Sequence, residues 1–135
     1  MNDKDSRISN QLSHIIFITG GTKSGKSEFA EYLAKVEKNM TYVALSEINA
    51  EDKKWQEKIN LHRKRRPKNW KLIETTDLLN TLRKKDGPLL IDSIGGFVME
   101  NIDIENKKWF RKMNSLISLL KGRKSITFIV GEPVG

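Results

Sequence analysis

Apolar residues along the chain fall into short continuous runs that alternate with longer stretches of helical period. The run His14-Ile15-Ile16-Phe17-Ile18-Thr19 is β-branched and aromatic, and it stops at the pair Gly20-Gly21. Such a run reads as a strand buried on both faces, here the central first strand of a sheet. From Ser24 onward Phe29, Ala30, Leu33 and Ala34 recur at helical spacing, with Glu28, Glu31 and Lys35 between them, so the glycine turn opens directly into an amphipathic helix. Met40 to Leu45 predicts a second strand, and Ala50 to about Lys64 a second helix with Trp55, Ile59 and His62 on one side. After Pro67, Trp70 to Glu74 predicts a short strand, Asp77 to Lys85 a helix capped by Asp77, and Pro88 to Asp92 a third apolar strand. A further segment begins near Ile94. Ile104 to Leu120 then sets Trp109, Met113, Leu116, Ile117 and Leu120 at helical spacing, with Gly122 as C-cap and Ser125 to Val130 as another strand.

Strands alternating with helices imply parallel βαβ units, whose right-handed crossovers put helices on both faces of one sheet. The expected fold is therefore an α/β domain over residues 14–135, a parallel sheet with helices on both faces. Residues 1–13 are polar, carry charges of both signs, and read as a flexible tail. The last strand ends five residues before Gly135, whereas a parallel sheet normally has a further helix over that face. The domain is accordingly read as lacking its C-terminal part.

Composition changes this picture in two ways. The formal charge of +8 is concentrated between Lys53 and Lys68, a block that attracts polyanions: a nucleoside triphosphate, a phosphorylated substrate or nucleic acid. A solvated helix face is the plain alternative. The chain has no cysteine, so disulfides and thiolate metal sites are excluded and a reducing cytoplasmic setting is compatible. No run is long enough to cross a bilayer, and residues 1–13 lack the apolar stretch of a secretory signal. No aromatic-rich RNA-binding motif interleaves the basic run, so neither a nucleic-acid nor a membrane partner is expected.

Chemistry enters with Gly20-Gly21-Thr22-Lys23-Ser24-Gly25-Lys26-Ser27, which matches G-x-x-x-x-G-K-S/T at every fixed position, after a strand and before a helix. Such a loop turns backbone N–H groups inward around phosphate oxygens, while Lys26 can reach the β- and γ-phosphates and Ser27 can ligate Mg²⁺; set between strand and helix of the alternating pattern, it makes the expected α/β fold one of P-loop NTPase type. Asp92 closes the strand Leu89-Leu90-Ile91, a place where an acid can orient Mg²⁺ and its waters or simply cap the helix that follows. His62 stands among Arg63, Lys64, Arg65 and Arg66. Neighbouring cations keep an imidazole neutral and nucleophilic, which would suit covalent catalysis; a solvated basic helix end with an incidental histidine fits the same residues.

Four segments together resemble the bifunctional adenosylcobinamide kinase/adenosylcobinamide-phosphate guanylyltransferase family of cobalamin biosynthesis. They are Ile18 to Ser27, Tyr42-Val43-Ala44, Ile59 and His62 with Arg66-Pro67, Trp70 and Glu74, and Leu90-Ile91-Asp92. The resemblance implies phosphorylation of the aminopropanol hydroxyl of adenosylcobinamide, then transfer of GMP from GTP to that phosphate through a guanylylated histidine, matched here by His62. It also implies that Gly20 to Ser27 hold phosphates and that Ala44, Leu45, Ser46, Arg63, Lys64, Arg65, Arg66, Glu74 and Asp92 line the guanine nucleotide site. ATP and GTP would be substrates, Ser27 and Asp92 would hold Mg²⁺, a corrinoid would be the acceptor, and the assembly would be a homotrimer. The chain departs from the family at Thr22-Lys23, where an Ala-Arg pair is usual, and at Ser93-Ile94-Gly95-Gly96, where a Cys-Leu-Thr-like stretch is usual. It also ends inside a segment, Glu132-Pro133-Val134-Gly135, beyond which family members continue. A plain P-loop small-molecule kinase and an inactive nucleotide-binding fragment are the alternative readings.

Overall fold

The computed structural model describes residues 14–20, 25–45, 53, 56, 57, 60, 64 and 66–131. Five strands form one parallel sheet: β1 (Ile15–Thr19), β2 (Thr41–Leu45), β3 (Lys71–Thr75), β4 (Leu89–Asp92) and β5 (Thr127–Gly131), in the spatial order β1-β5-β4-β2-β3. Four helices are described in full: α1 (Lys26–Ala34), α2 (Leu78–Lys84), α3 (Ile94–Glu100) and α4 (Asn106–Lys121). Between β2 and β3, Lys53, Gln56, Glu57, Asn60 and Lys64 are helical and exposed; Trp55, Ile59 and His62 lie outside the described residues.

Period-two alternation along the strands divides the core into two layers. On one face Ile18, Tyr42, Ala44, Leu90, Phe128 and Val130 pack with Ala30 and Ala34 of α1 and with Met40 and Trp70. On the other, Val43, Leu45, Leu89, Ile91 and Ile129 pack with Leu78 and Leu82 of α2, Phe97 of α3 and Leu116 of α4. Helices thus cover both faces, as the alternating sequence predicts. Asp77 caps α2 through its Oδ1, which accepts from the Asn80 N–H at 3.1 Å. Gly122 follows α4 as its C-cap.

The structure corrects three expectations. Among the described residues β1 pairs only with β5 and stands at the edge of the sheet, so it is not the central strand. Continuous apolarity reports burial but not neighbours. Ile16 and Ile18 pack towards α1, while Phe17 is 55% exposed, and the fully buried strands are β2 and β5. Helix α1 is rotated from its expected stripe: Ala30, Glu31 and Ala34 are buried and Phe29 is exposed. Two alanines four residues apart let the helix axis come close to the sheet, and the bulkier Phe29 is left outside. Ile117 is likewise exposed, and Leu119 joins the core instead.

The stretch Ser93-Ile94-Gly95-Gly96, where the sequence leaves the family pattern, begins helix α3. A Cβ on Gly96 would stand 2.3 Å from the Leu45 carbonyl oxygen, so glycine here lets α3 rest directly on the end of β2.

Candidate functional site

The C-terminal ends of parallel strands form the ligand-binding edge of open α/β sheets, and most of the described residues among the sequence-predicted site residues are on this edge. Gly20 follows β1, Ala44 and Leu45 close β2, Glu74 is the next-to-last residue of β3, and Asp92 ends β4. Strand register sets Glu74, Ala44, Asp92, Val130 and Ile18 side by side in one row across the sheet. Residues in one row of a parallel sheet point to one face, so Glu74 and Asp92 flank Ala44 on the α1 side, their backbones about 10 Å apart.

Gly25 adopts φ 82°, a left-handed conformation that admits glycine without strain, and turns the chain into α1. No side chain caps α1 at Gly25, and its first two residues are Lys26 and Ser27. The positive end of a helix dipole at such a start favours an anion. Lys26 and Ser27 are both half-buried. The Ser27 hydroxyl donates to Oδ2 of Asp92 at 3.1 Å, tying the start of α1 to the end of β4 across the intervening β5.

Asp92 is thereby distinguished from a helix cap. The N-cap of α3 is Ser93, while Asp92 Oδ2 accepts from Ser27 and also from the hydroxyl of Tyr42. Tyr42 and Ala44 point to the α1 face, as do Leu90 and Asp92, and Tyr42 is in register with Leu90. Its ring therefore reaches one diagonal step along β4 to the carboxylate. Burial above all, and then the adjacent Asp92 carboxylate, push the Tyr42 phenol far above its ordinary range, so it stays a neutral donor; the charge of Glu31 acts in the same sense and that of Arg66 opposes it. The Arg66 guanidinium lies over the Tyr42 ring, 4.5 Å from its centroid, and Arg66 is buried.

The described site thus joins Ser27, Tyr42, Asp92, Glu31 and Arg66 on the α1 face. Lys64 is exposed on the helix before Arg66. Gly21, Thr22, Lys23, Ser24, Ser46, His62, Arg63 and Arg65 lie outside the described residues. The sequence alone quotes Tyr42 only as part of the segment Tyr42-Val43-Ala44 and does not single out Glu31. The signal for Tyr42 is a phenol in an otherwise aliphatic buried strand; Glu31 carries the spacing of an exposed helical residue, and only the rotation of α1 reveals it.

A hydroxyl and a carboxylate oxygen at hydrogen-bonding distance are hard donors that suit Mg²⁺, which is usually bound by one or two carboxylates together with phosphates and water. Among the described residues there is no cluster of three or more His, Cys, Asp or Glu that could hold a metal ion. No helix of the described residues is long and apolar enough to cross a membrane.

A parallel sheet with helices on both faces, a G-x-x-x-x-G-K-S loop between β1 and α1, and an acid on a separate strand hydrogen-bonded to the loop serine define a P-loop α/β protein. The family model for cobinamide kinase / cobinamide phosphate guanyltransferase matches residues 16–135, and the chain belongs to that family. Over 72 residues it is 36% identical to the bifunctional adenosylcobalamin biosynthesis protein CobU of Escherichia coli (strain K12), a match that covers 53% of this chain and 39% of that protein. Among solved structures, a KaiC-like protein, PH0186, from Pyrococcus horikoshii OT3 aligns with a TM-score of 0.47 and 18% identity, over 89% of this chain and 63% of that one.

Proposed function

We propose that this chain carries the nucleotide site of an enzyme that phosphorylates adenosylcobinamide with a nucleoside triphosphate and then transfers GMP from GTP to the resulting phosphate. The observation that carries this reading is the Ser27–Asp92 hydrogen bond at the ligand-binding edge of the sheet, in a chain of the cobinamide kinase / cobinamide phosphate guanyltransferase family. Gly20 to Ser27 would cradle the phosphates, with Lys26 on the β- and γ-phosphates. Ser27 and Asp92 would hold Mg²⁺, which when bound neutralises phosphate charge and orients the leaving group. Ala44, Leu45 and Glu74 stand on the same edge to line the nucleotide site, with Ser46 next in the chain. Arg63, Lys64, Arg65 and Arg66 belong to the basic segment that would approach it.

In the kinase step the substrate hydroxyl attacks the γ-phosphorus of ATP or GTP and the nucleoside diphosphate leaves. In the transfer step a neutral imidazole nitrogen of His62 attacks the α-phosphorus of GTP; a P–N bond forms, the bond between the α-phosphorus and the bridging oxygen breaks, and pyrophosphate leaves. An oxygen of the substrate phosphate then attacks the same phosphorus, the P–N bond breaks, and the histidine is restored. Two displacements at one phosphorus reuse one phosphate cradle. A corrinoid acceptor, a homotrimeric assembly and a cytoplasmic location belong to the same proposal.

The test is incubation with GTP labelled at the α-phosphate, followed by denaturing separation. The proposal expects acid-labile label on the wild-type chain and loss of at least about 95% of it in His62→Ala, because an alanine offers no nucleophile. Absence of label in a folded chain that binds GTP would overturn covalent transfer. It would favour the second reading, a plain P-loop kinase, which the Ser27–Asp92 pair supports equally well.

A further inference from the structure

We propose that Tyr42 is a positioning residue of the phosphate site, its hydroxyl holding the Asp92 carboxylate in the orientation that receives a metal-bound nucleotide. The inference rests on the reading of Ser27 and Asp92 as the metal-holding pair. Two observations support it. The Tyr42 hydroxyl donates to Oδ2 of Asp92, the same oxygen that accepts from Ser27, so the carboxylate is gripped from the strand beside it as well as from the loop helix. The phenol is fixed in turn: Tyr42 is only 3% exposed, packs in one layer with Ala30, Ala34, Met40 and Trp70, and has the Arg66 guanidinium over its ring.

A carboxylate on the last residue of a strand can rotate freely about its side-chain bonds unless something holds it. Ser27 holds it from the α1 side alone, and in the proposed site a lone pair of the same hydroxyl oxygen also serves the metal while its proton stays directed at the carboxylate. Tyr42 is not in that position. Its hydroxyl reaches Oδ2 of the carboxylate from within the core. Partners of this kind, which orient a metal-binding group without touching the metal, commonly matter 10–100-fold for metal affinity.

The experiment measures binding of a fluorescent GTP analogue to the full chain, with magnesium and with chelator, for wild type, Tyr42→Phe, Asp92→Asn and Leu90→Val. Tyr42→Phe keeps the ring and its contact with Arg66 and removes only the hydroxyl. The magnesium concentration at half-maximal nucleotide binding is expected to rise about tenfold, while affinity in chelator stays within about twofold of wild type. Leu90→Val is a packing control in the same layer: it should lower thermal stability and leave the magnesium midpoint unchanged. If Tyr42→Phe binds with the wild-type magnesium midpoint while Asp92→Asn loses magnesium dependence, the Tyr42 role is overturned and the metal-holding pair stands. If Asp92→Asn keeps the wild-type midpoint, the pair itself falls, and the Tyr42 role falls with it.

Discussion

On one face of the sheet, α2, α3 and α4 lay Leu78, Leu82, Phe97 and Leu116 over Val43, Leu45, Ile91 and Ile129, and every one of these buried contacts is apolar. On the other face α1 contributes two alanines and a buried glutamate, and the strands bring up Tyr42 and Asp92 beside Leu90, Phe128 and Val130. Burying a carboxylate and a phenol costs free energy unless each finds a partner. Here Asp92 accepts two hydrogen bonds and Tyr42 is stacked under Arg66, so the polar groups are held rather than merely tolerated. The first face can be packed for stability alone. The second gives up apolar area for a set of fixed oxygens at the ligand-binding edge.

The largest effect that would sharpen this contrast is expected on the apolar face. Leu78 is 1% exposed, and Leu78→Ala should cost about 2–5 kcal/mol in urea unfolding while leaving the GTP affinity of the folded protein within about twofold. A large loss of affinity at unchanged stability would break the division between the faces. A smaller effect is expected where the two meet. Gly96→Ala puts a Cβ against the Leu45 backbone and should cost about 1–3 kcal/mol, read as a lowered melting temperature, because backbone cannot move aside as a side-chain tip would. An unchanged melting temperature would show that α3 does not rest on β2 as described.

Much of the architecture was legible from residue pattern because alternation and helical period are local properties. Asp77 as a cap and Gly122 as a helix end follow from chemistry that acts within a few residues, and both stand where the sequence places them. The position of β1 was not legible. A run of apolar residues reports that a strand is covered, and the covering of Ile16 and Ile18 by α1 leaves the same trace as a strand on either side. Rotation of α1 escaped for a similar reason: which face of the helix is buried is decided by how closely Ala30 and Ala34 can approach the sheet, a tertiary matter.

At the site, the loop and Asp92 could be named from spacing, since a phosphate cradle needs its residues in sequence. Tyr42 could be quoted only as part of a motif. Its role depends on register between β2 and β4, which sets Tyr42 beside Leu90 and one diagonal step from Asp92. Glu31 and Arg66 likewise gain their meaning from Tyr42, a residue distant from both in the chain. His62 lies outside the described residues, so its place in the account comes from the sequence.

The most direct test of the central claim, that the α1 face is the one that binds nucleotide, is backbone hydrogen exchange of the whole chain with and without magnesium and GTP. The account predicts slower exchange in peptides that contain the loop and start of α1, the ends of β2 and β4, and the segment around Arg66, with α2 and the middle of α4 unchanged. Protection centred on α2 and α4, with the loop and Asp92 unaffected, would contradict it.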